Sequence, residues 1–199
     1  MKKMLAVMLL MMMCCACTAE SIAEIPSVSF ETYSQSFAGL TEEEWKADEV
    51  ELIQMISPEE GVTVSACLSA ADVAALTVEF PCDQITDSVR AAIANLGWLS
   101  VEAIEQVMTL KDDARLEIEG CIVYRVHGEN RDAFSICPAE MVGGMVWQPI
   151  HGGKKLHMEI ECSGMDVSRM ITAEAAELTG WEACKRCAVE EEDAQETAE

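Results

Sequence analysis

The residues of this chain best suited to chemistry lie near its end: His157, Cys162, Cys184 and Cys187, spaced as H-x4-C and then C-x2-C. Three thiols and one imidazole are the donor set of a closed, four-coordinate zinc site, which holds a small module together rather than activating a water. A two-residue gap lets Cys184 and Cys187 aim both sulfurs at one ion from a tight turn, with His157 and Cys162 approaching from the opposite side. Lys185 and Arg186 sit between the paired thiols, where positive charge favours the thiolate that binds metal. Zinc is therefore the expected cofactor, and no catalytic residue is assigned.

Two enzymatic readings compete for the same residues. His157-Met158-Glu159 with a downstream C-x-x-C fits the way zinc deaminases place a metal, a water and a general acid/base Glu. Against it, the residues after Glu159 do not continue a helix, Ala183 stands where that signature has Pro, and Cys162 would close the position the water needs. Cys184 and Cys187 could also work as a thiol-redox couple, but no strand of a βαβ unit precedes them. His127 and His151 sit beside glycine on expected turns and read as solvated.

Those donors need elements to position them. Met145–Ile150 and Lys155–Ile160 read as two short strands joined through His151-Gly152-Gly153, and Thr172–Leu178 reads as a capped helix closed by Gly180. The result is a ββα-like piece over 139–188, too small to stabilise itself by burial alone. Upstream, residues 41–138 read as an α+β domain of helices plus an antiparallel sheet. Thr41 and Glu44 form a capping box ahead of an apolar stripe of Trp45, Val50, Ile53 and Ile56, which predicts a helix ending before Pro58. Alternation over Val62–Leu68 predicts a strand, and Ser69 with Asp72 predicts a cap for a short Ala-rich segment. Helices are expected over Asp87–Leu96 and after Ser100 as far as Met108. Arg115–Val126 reads as one long strand with a bulge at Gly120, followed by a hairpin connection into Ala133–Cys137.

Composition bounds the setting. Lys2 and Lys3, an apolar run over Met4–Met13 and small residues to Ala19 have the form of a secretory signal, too short to span a bilayer as a mature helix. Export is expected, followed either by lipid attachment at Cys17 or by simple cleavage after Ala19 or Ala23. The mature chain would then be extracellular or lipid-anchored at a bacterial membrane. Residues 20–40 read as a linker and 189–199 as a disordered acidic tail. The chain carries 13 basic and 36 acidic residues, a net charge of -23. Such a surface repels phosphate backbones and anionic headgroups, which argues against general nucleic-acid binding and leaves a protein or cell-envelope partner. Seven of the ten cysteines lie beyond the signal region, an odd number that intrachain disulfides alone cannot pair. Giving three to a metal leaves Cys67, Cys82, Cys121 and Cys137, for two disulfides or four buried thiols.

Val146-Trp147, Gly153-Lys154-Lys155-Leu156-His157, Cys162, the run Ile171-Thr172-Ala173-Glu174-Ala175-Ala176, and Gly180-Trp181-Glu182-Ala183-Cys184-Lys185-Arg186-Cys187 together resemble a small module of secreted Gram-positive bacterial proteins. That module also ends competence-type metallo-β-lactamase-fold proteins and is similar to the Ada-type metal-binding domain. The resemblance implies His157, Cys162, Cys184 and Cys187 as ligands. Leu156 replaces its usual Tyr and Ala183 its usual Pro, neither at a ligand position. Binding or structural work, rather than catalysis, is the function this implies.

Overall fold

The computed structural model describes residues 25–37, 44–82, 84–162 and 166–187. The expected signal region, Thr41 and the acidic tail lie outside the described residues. The fold is α+β and mostly strand. Seven strands form one antiparallel sheet: β1 (Lys46–Asp48), β2 (Val50–Glu59), β3 (Val62–Ser69), β4 (Asp72–Pro81), β5 (Ala114–Ile118), β6 (Cys121–His127) and β7 (Arg131–Pro138), in the order β1-β2-β3-β4-β7-β6-β5. Helices α1 (Phe30–Gln35), α2 (Asp87–Ala94) and α3 (Val101–Met108) supply residues to the apolar cluster that covers one face. On the other face lies a ribbon of β8 (Met145–Pro149) and β10 (Ser168–Thr172), with α4 (Ala173–Thr179) following it. A two-residue pair, β9 (Lys155–Leu156) and β11 (Glu182–Ala183), runs parallel beside them.

The stretch expected as a helix over 45–56 holds two strands instead, β1 and most of β2. Helical spacing would put Ile53 and Ile56 on one face, yet they are buried in different clusters, Ile53 toward the β8–β10 ribbon and Ile56 toward the helices. A strand covered on both sides buries apolar residues on each of its faces, as β2 does at Ile53 and Ile56, so its apolar pattern loses the simple alternation that marks a half-exposed strand. The same reason turns the Ala-rich segment after Ser69 into β4, which is buried continuously from Val73 to Phe80. Pro58 is tolerated because the β2–β3 register breaks between Ile56 and Glu59, where a missing donor costs no ladder bond.

Arg115–Val126 is likewise two strands, not one. Glu119 and Gly120 both take positive φ, 49° and 79°, and make a tight two-residue hairpin turn. Leu116 and Ile118 therefore pack toward the helices while Ile122 and Val126 pack toward the ribbon. The expected helices at 87–96 and after Ser100 are present, each N-capped through a hydroxyl, Thr86 to Val89 N and Ser100 to Ala103 N.

Residues 25–37, within the stretch expected as linker, are folded. Ser29 caps α1, Tyr33 and Phe37 are buried against Trp45, and the Tyr33 hydroxyl donates to the Ala92 carbonyl at 3.0 Å. Three aromatic side chains in so short a segment outweigh its polar neighbours.

The C-terminal pairing also differs from expectation. β8 does not pair along its length with the 155–160 segment; the two meet at a single bridge, Trp147 to His157. Its true partner is β10, which the sequence pattern gave no sign of, because all five of its residues are buried and two of them are Ser168 and Arg169. Arg169 is held by the Gln148 side chain at 2.8 Å and by Asp48 at 2.6 Å, so a guanidinium is accommodated inside the ribbon.

Gly128 fixes how the β6–β7 connection meets the segment before β10. A Cβ there would collide with Asp166 Oδ1 and lie 2.7 Å from a Val167 methyl, while Asp166 itself accepts from Glu129 N at 2.7 Å. Gly128→Ala must push this segment away, so we expect a loss of about 1–3 kcal/mol in urea unfolding, as for other overpacked sites. A wild-type midpoint in that variant would show that the contact is not tight.

Candidate metal centre

His157 is placed by its backbone. Its N–H donates to Trp147 O at 2.8 Å and its carbonyl accepts from Trp147 N at 2.7 Å, which ties it to the buried strand β8. α4 then stops at Gly180, whose φ of 67° lets the chain reverse as only glycine does at little cost. The reversal brings β11 alongside β9, and Cys184 N donates to Leu156 O at 2.7 Å. The turn through Lys185 and Arg186 returns Cys187 to the same side. Cys162 arrives from a turn closed by its N–H to Glu159 O at 3.3 Å.

One donor atom from each of His157, Cys162, Cys184 and Cys187 lies within 4.8 Å of the other three, and all four residues are buried. This cluster could hold a metal ion. Cys162 Sγ and Cys184 Sγ are 3.7 Å apart, and Cys187 Sγ is 3.7 Å from His157 Nδ1. Tetrahedral bonds of ~2.3 Å to sulfur and ~2.05 Å to nitrogen separate two sulfurs by about 3.8 Å and a sulfur from a nitrogen by about 3.6 Å. The observed spacing fits. It is also far from the roughly 2.05 Å of a disulfide, and no disulfide joins any of the seven cysteines among the described residues.

The three thiols form a buried cluster of their own, separate from both apolar cores. Packing alone gives no reason to gather three sulfurs there. The thiols differ in their ease of ionisation. Cys184 is held below the ordinary thiol value, first by the backbone N–H of Arg186 and also by a hydrogen bond from Cys162. The lowering expected from the charges of Lys185 and Arg186 is thus carried instead by an amide of the turn. Burial pushes Cys162 up to about 11, with its neighbouring thiols acting in the same direction. Burial, followed by the charge of Lys155, lowers His157 and keeps its imidazole in the neutral form a metal requires.

No family model, curated protein or solved structure matches the chain. Glu159, the residue a deaminase would need, is exposed on a turn rather than at the start of a helix. Of the remaining cysteines, Cys67, Cys121 and Cys137 are buried, and burial pushes both Cys121 and Cys137 up to about 12.

His127 and His151 are exposed, as expected of solvated histidines, but each also has a carboxylate partner that the sequence reading did not foresee. His151 Nε2 lies 2.7 Å from the buried carboxylate of Glu79, and His127 Nδ1 lies 2.7 Å from that of Asp132. The hairpin register could have shown the second of these, since His127 and Asp132 face each other across its closing pair. A cleft of about 570 Å³ lined by Arg125, His127, Trp147, Glu159 and Cys162 separates this second histidine from the first cluster.

Proposed function

We propose that His157, Cys162, Cys184 and Cys187 bind one zinc ion as a closed structural site in a ββα-like module, and that the protein is a binding or structural component rather than an enzyme. The convergence of three thiols and a neutral imidazole at tetrahedral spacing supports this reading. Thiolate-rich tetrahedral donors select zinc over hard cations such as magnesium or calcium. With four protein donors there is no position for an activated water, so the ion organises the chain. It ties the end of the chain to β8 through Trp147 and so fixes one wall of the adjoining cleft.

The N-terminal pattern supports work outside the cytoplasm, with the protein either released or held at a bacterial membrane by lipid on Cys17. Among the described residues no helix is long and apolar enough to cross a membrane. The acidic surface selects a protein or cell-envelope partner over nucleic acid.

Metal analysis of the purified chain together with a thiol count tests the proposal. One zinc per chain at this site, with three thiols that react only after chelation or unfolding, is the expected result. Metal-free protein with Cys184 and Cys187 oxidised would replace it with a redox couple.

A further inference from the structure

A second group of donors assembles at the other end of the cleft. β4 and β6 flank β7, and the registers Phe80↔Asp132 and His127↔Asp132 set these side chains in a row across the sheet. Cys82, just beyond the end of β4, adds a thiol: its N–H donates to Asn130 O at 3.2 Å and its S–H to Gly128 O at 3.7 Å. Cys82 Sγ, a ring nitrogen of His127 and a carboxylate oxygen of Asp132 all lie within 4.8 Å of one another. We propose that Cys82, His127 and Asp132 form a second, open site for a divalent cation of the zinc class.

The electrostatic surroundings decide between a metal site and a nucleophilic thiol. Asp112 Oδ2 is 3.9 Å from His127 Nδ1, Asp113 Oδ1 accepts from His127 N at 3.1 Å, and Asp132 is fully buried. Against these three carboxylates stands Arg125, whose Nη2 meets Asp132 at 2.7 Å and Asp112 at 3.1 Å. Excess negative charge opposes a bare thiolate at Cys82 but attracts the cation that would neutralise it. A thiol, an imidazole and a carboxylate together suit zinc, whereas magnesium and calcium take oxygen donors.

Arg125 holds one oxygen of Asp132, and the other faces His127 Nδ1 at 2.7 Å. Two ligands of a tetrahedral ion at ~2.05 Å sit roughly 3.3 Å apart, so this pair must part by about 0.6 Å to admit the metal. Coordination releases the Cys82 proton to solvent and leaves the ion bound to S⁻, neutral N and O⁻. Three protein donors leave a tetrahedral ion one position for water. His127 is half-exposed and lines the cleft, so that position is accessible, in contrast to the closed first centre.

The test is titration of the full-length, chelator-stripped protein with Co²⁺ followed by Zn²⁺, reading thiolate-to-cobalt absorption and bound metal per chain. The wild type should bind two equivalents. Cys82→Ser and His127→Ala should each weaken the second by ~100-fold or more, at least the loss seen when a mere outer-shell partner is removed, and leave the first intact. Cys184→Ser should remove the first and keep the second. A single equivalent in the wild type, or a second one indifferent to Cys82→Ser, overturns the proposal. Failure of Cys184→Ser to remove any metal would instead overturn the closed-site reading above. Circular dichroism of Cys82→Ser, an almost isosteric change, guards against loss of fold.

Discussion

Cys184→Ser is expected to lose zinc from the closed centre and to loosen only the strands and turns that carry the donors. A structural zinc site in a small module contributes on the order of 10–16 kcal/mol, and a serine hydroxyl, which does not ionise as a thiol does, cannot replace the missing thiolate in that total. The loosened region should be residues 155–162 and 181–187. β10 and α4 should hold, because Met170, Ile171, Ala175 and Ala176 are buried in the same apolar cluster as Ile53 and Cys67 of the sheet. Hydrogen exchange separates the two regions directly: protection lost throughout β10 and α4, or unchanged zinc content, would defeat the expectation. Acid should mimic the substitution. Protons compete with metal for the thiolates and the imidazole, so apparent affinity falls as pH falls. The imidazole adds to stability with the same sign. Burial lowers His157 below its unfolded value of ~6.5, so the unfolded chain binds more protons between the two values. Stability is present above that window and lost as pH drops through it. Chelator competition at about pH 5.5 should therefore strip zinc at lower chelator than at about pH 7.5.

Local signals were legible and non-local ones were not. The H-x4-C and C-x2-C spacing marked four donors that the fold does bring together, because each half is built by a short turn. The helices at 87–94 and 101–108 carried their own hydroxyl caps and apolar stripes. β2 and β4 misled because each packs apolar residues into a cluster on either face of the sheet, a property of the whole fold that no window of eleven residues contains. β10 was invisible for a related reason: Arg169 reads as a surface residue until Gln148 and Asp48 are seen around it. The second group of donors needed the β4–β7 pairing, which joins residues some fifty positions apart, to bring Cys82 beside a hairpin that already held His127 and Asp132.

Asp132→Ala is expected to be among the most destabilising single substitutions in the sheet. The carboxylate is fully buried and divides its oxygens between Arg125 Nη2 and His127 Nδ1, each at 2.7 Å. Arg125 is itself about one-tenth exposed, with its guanidinium 5.9 Å above the Phe134 ring and Nη1 bonded to Leu110 O at 2.7 Å, so it cannot turn out to water without giving up this packing. Removing one partner of a buried ion pair costs about 3–5 kcal/mol, mostly because the surviving charge stays desolvated. Asp112 remains 3.1 Å from Arg125 in a half-exposed position, so the lower end, about 3 kcal/mol in urea unfolding, is expected. The pH dependence of the loss identifies its cause. The hydrogen bond that His127 donates to Asp132, then the charges of Asp132, Asp112 and Asp113, raise His127 above its unfolded value. Its contribution is therefore complete below ~6.5 and fades as pH rises through the higher folded value. The wild type should thus exceed Asp132→Ala by more near pH 5.5 than near pH 8.5. Asp132→Asn, which keeps the shape and one acceptor but drops the charge, should fall between them and show a weaker pH trend. Equal losses at both pH values would mean that the carboxylate serves Arg125 alone, and a variant as stable as the wild type would mean that the buried pair contributes nothing.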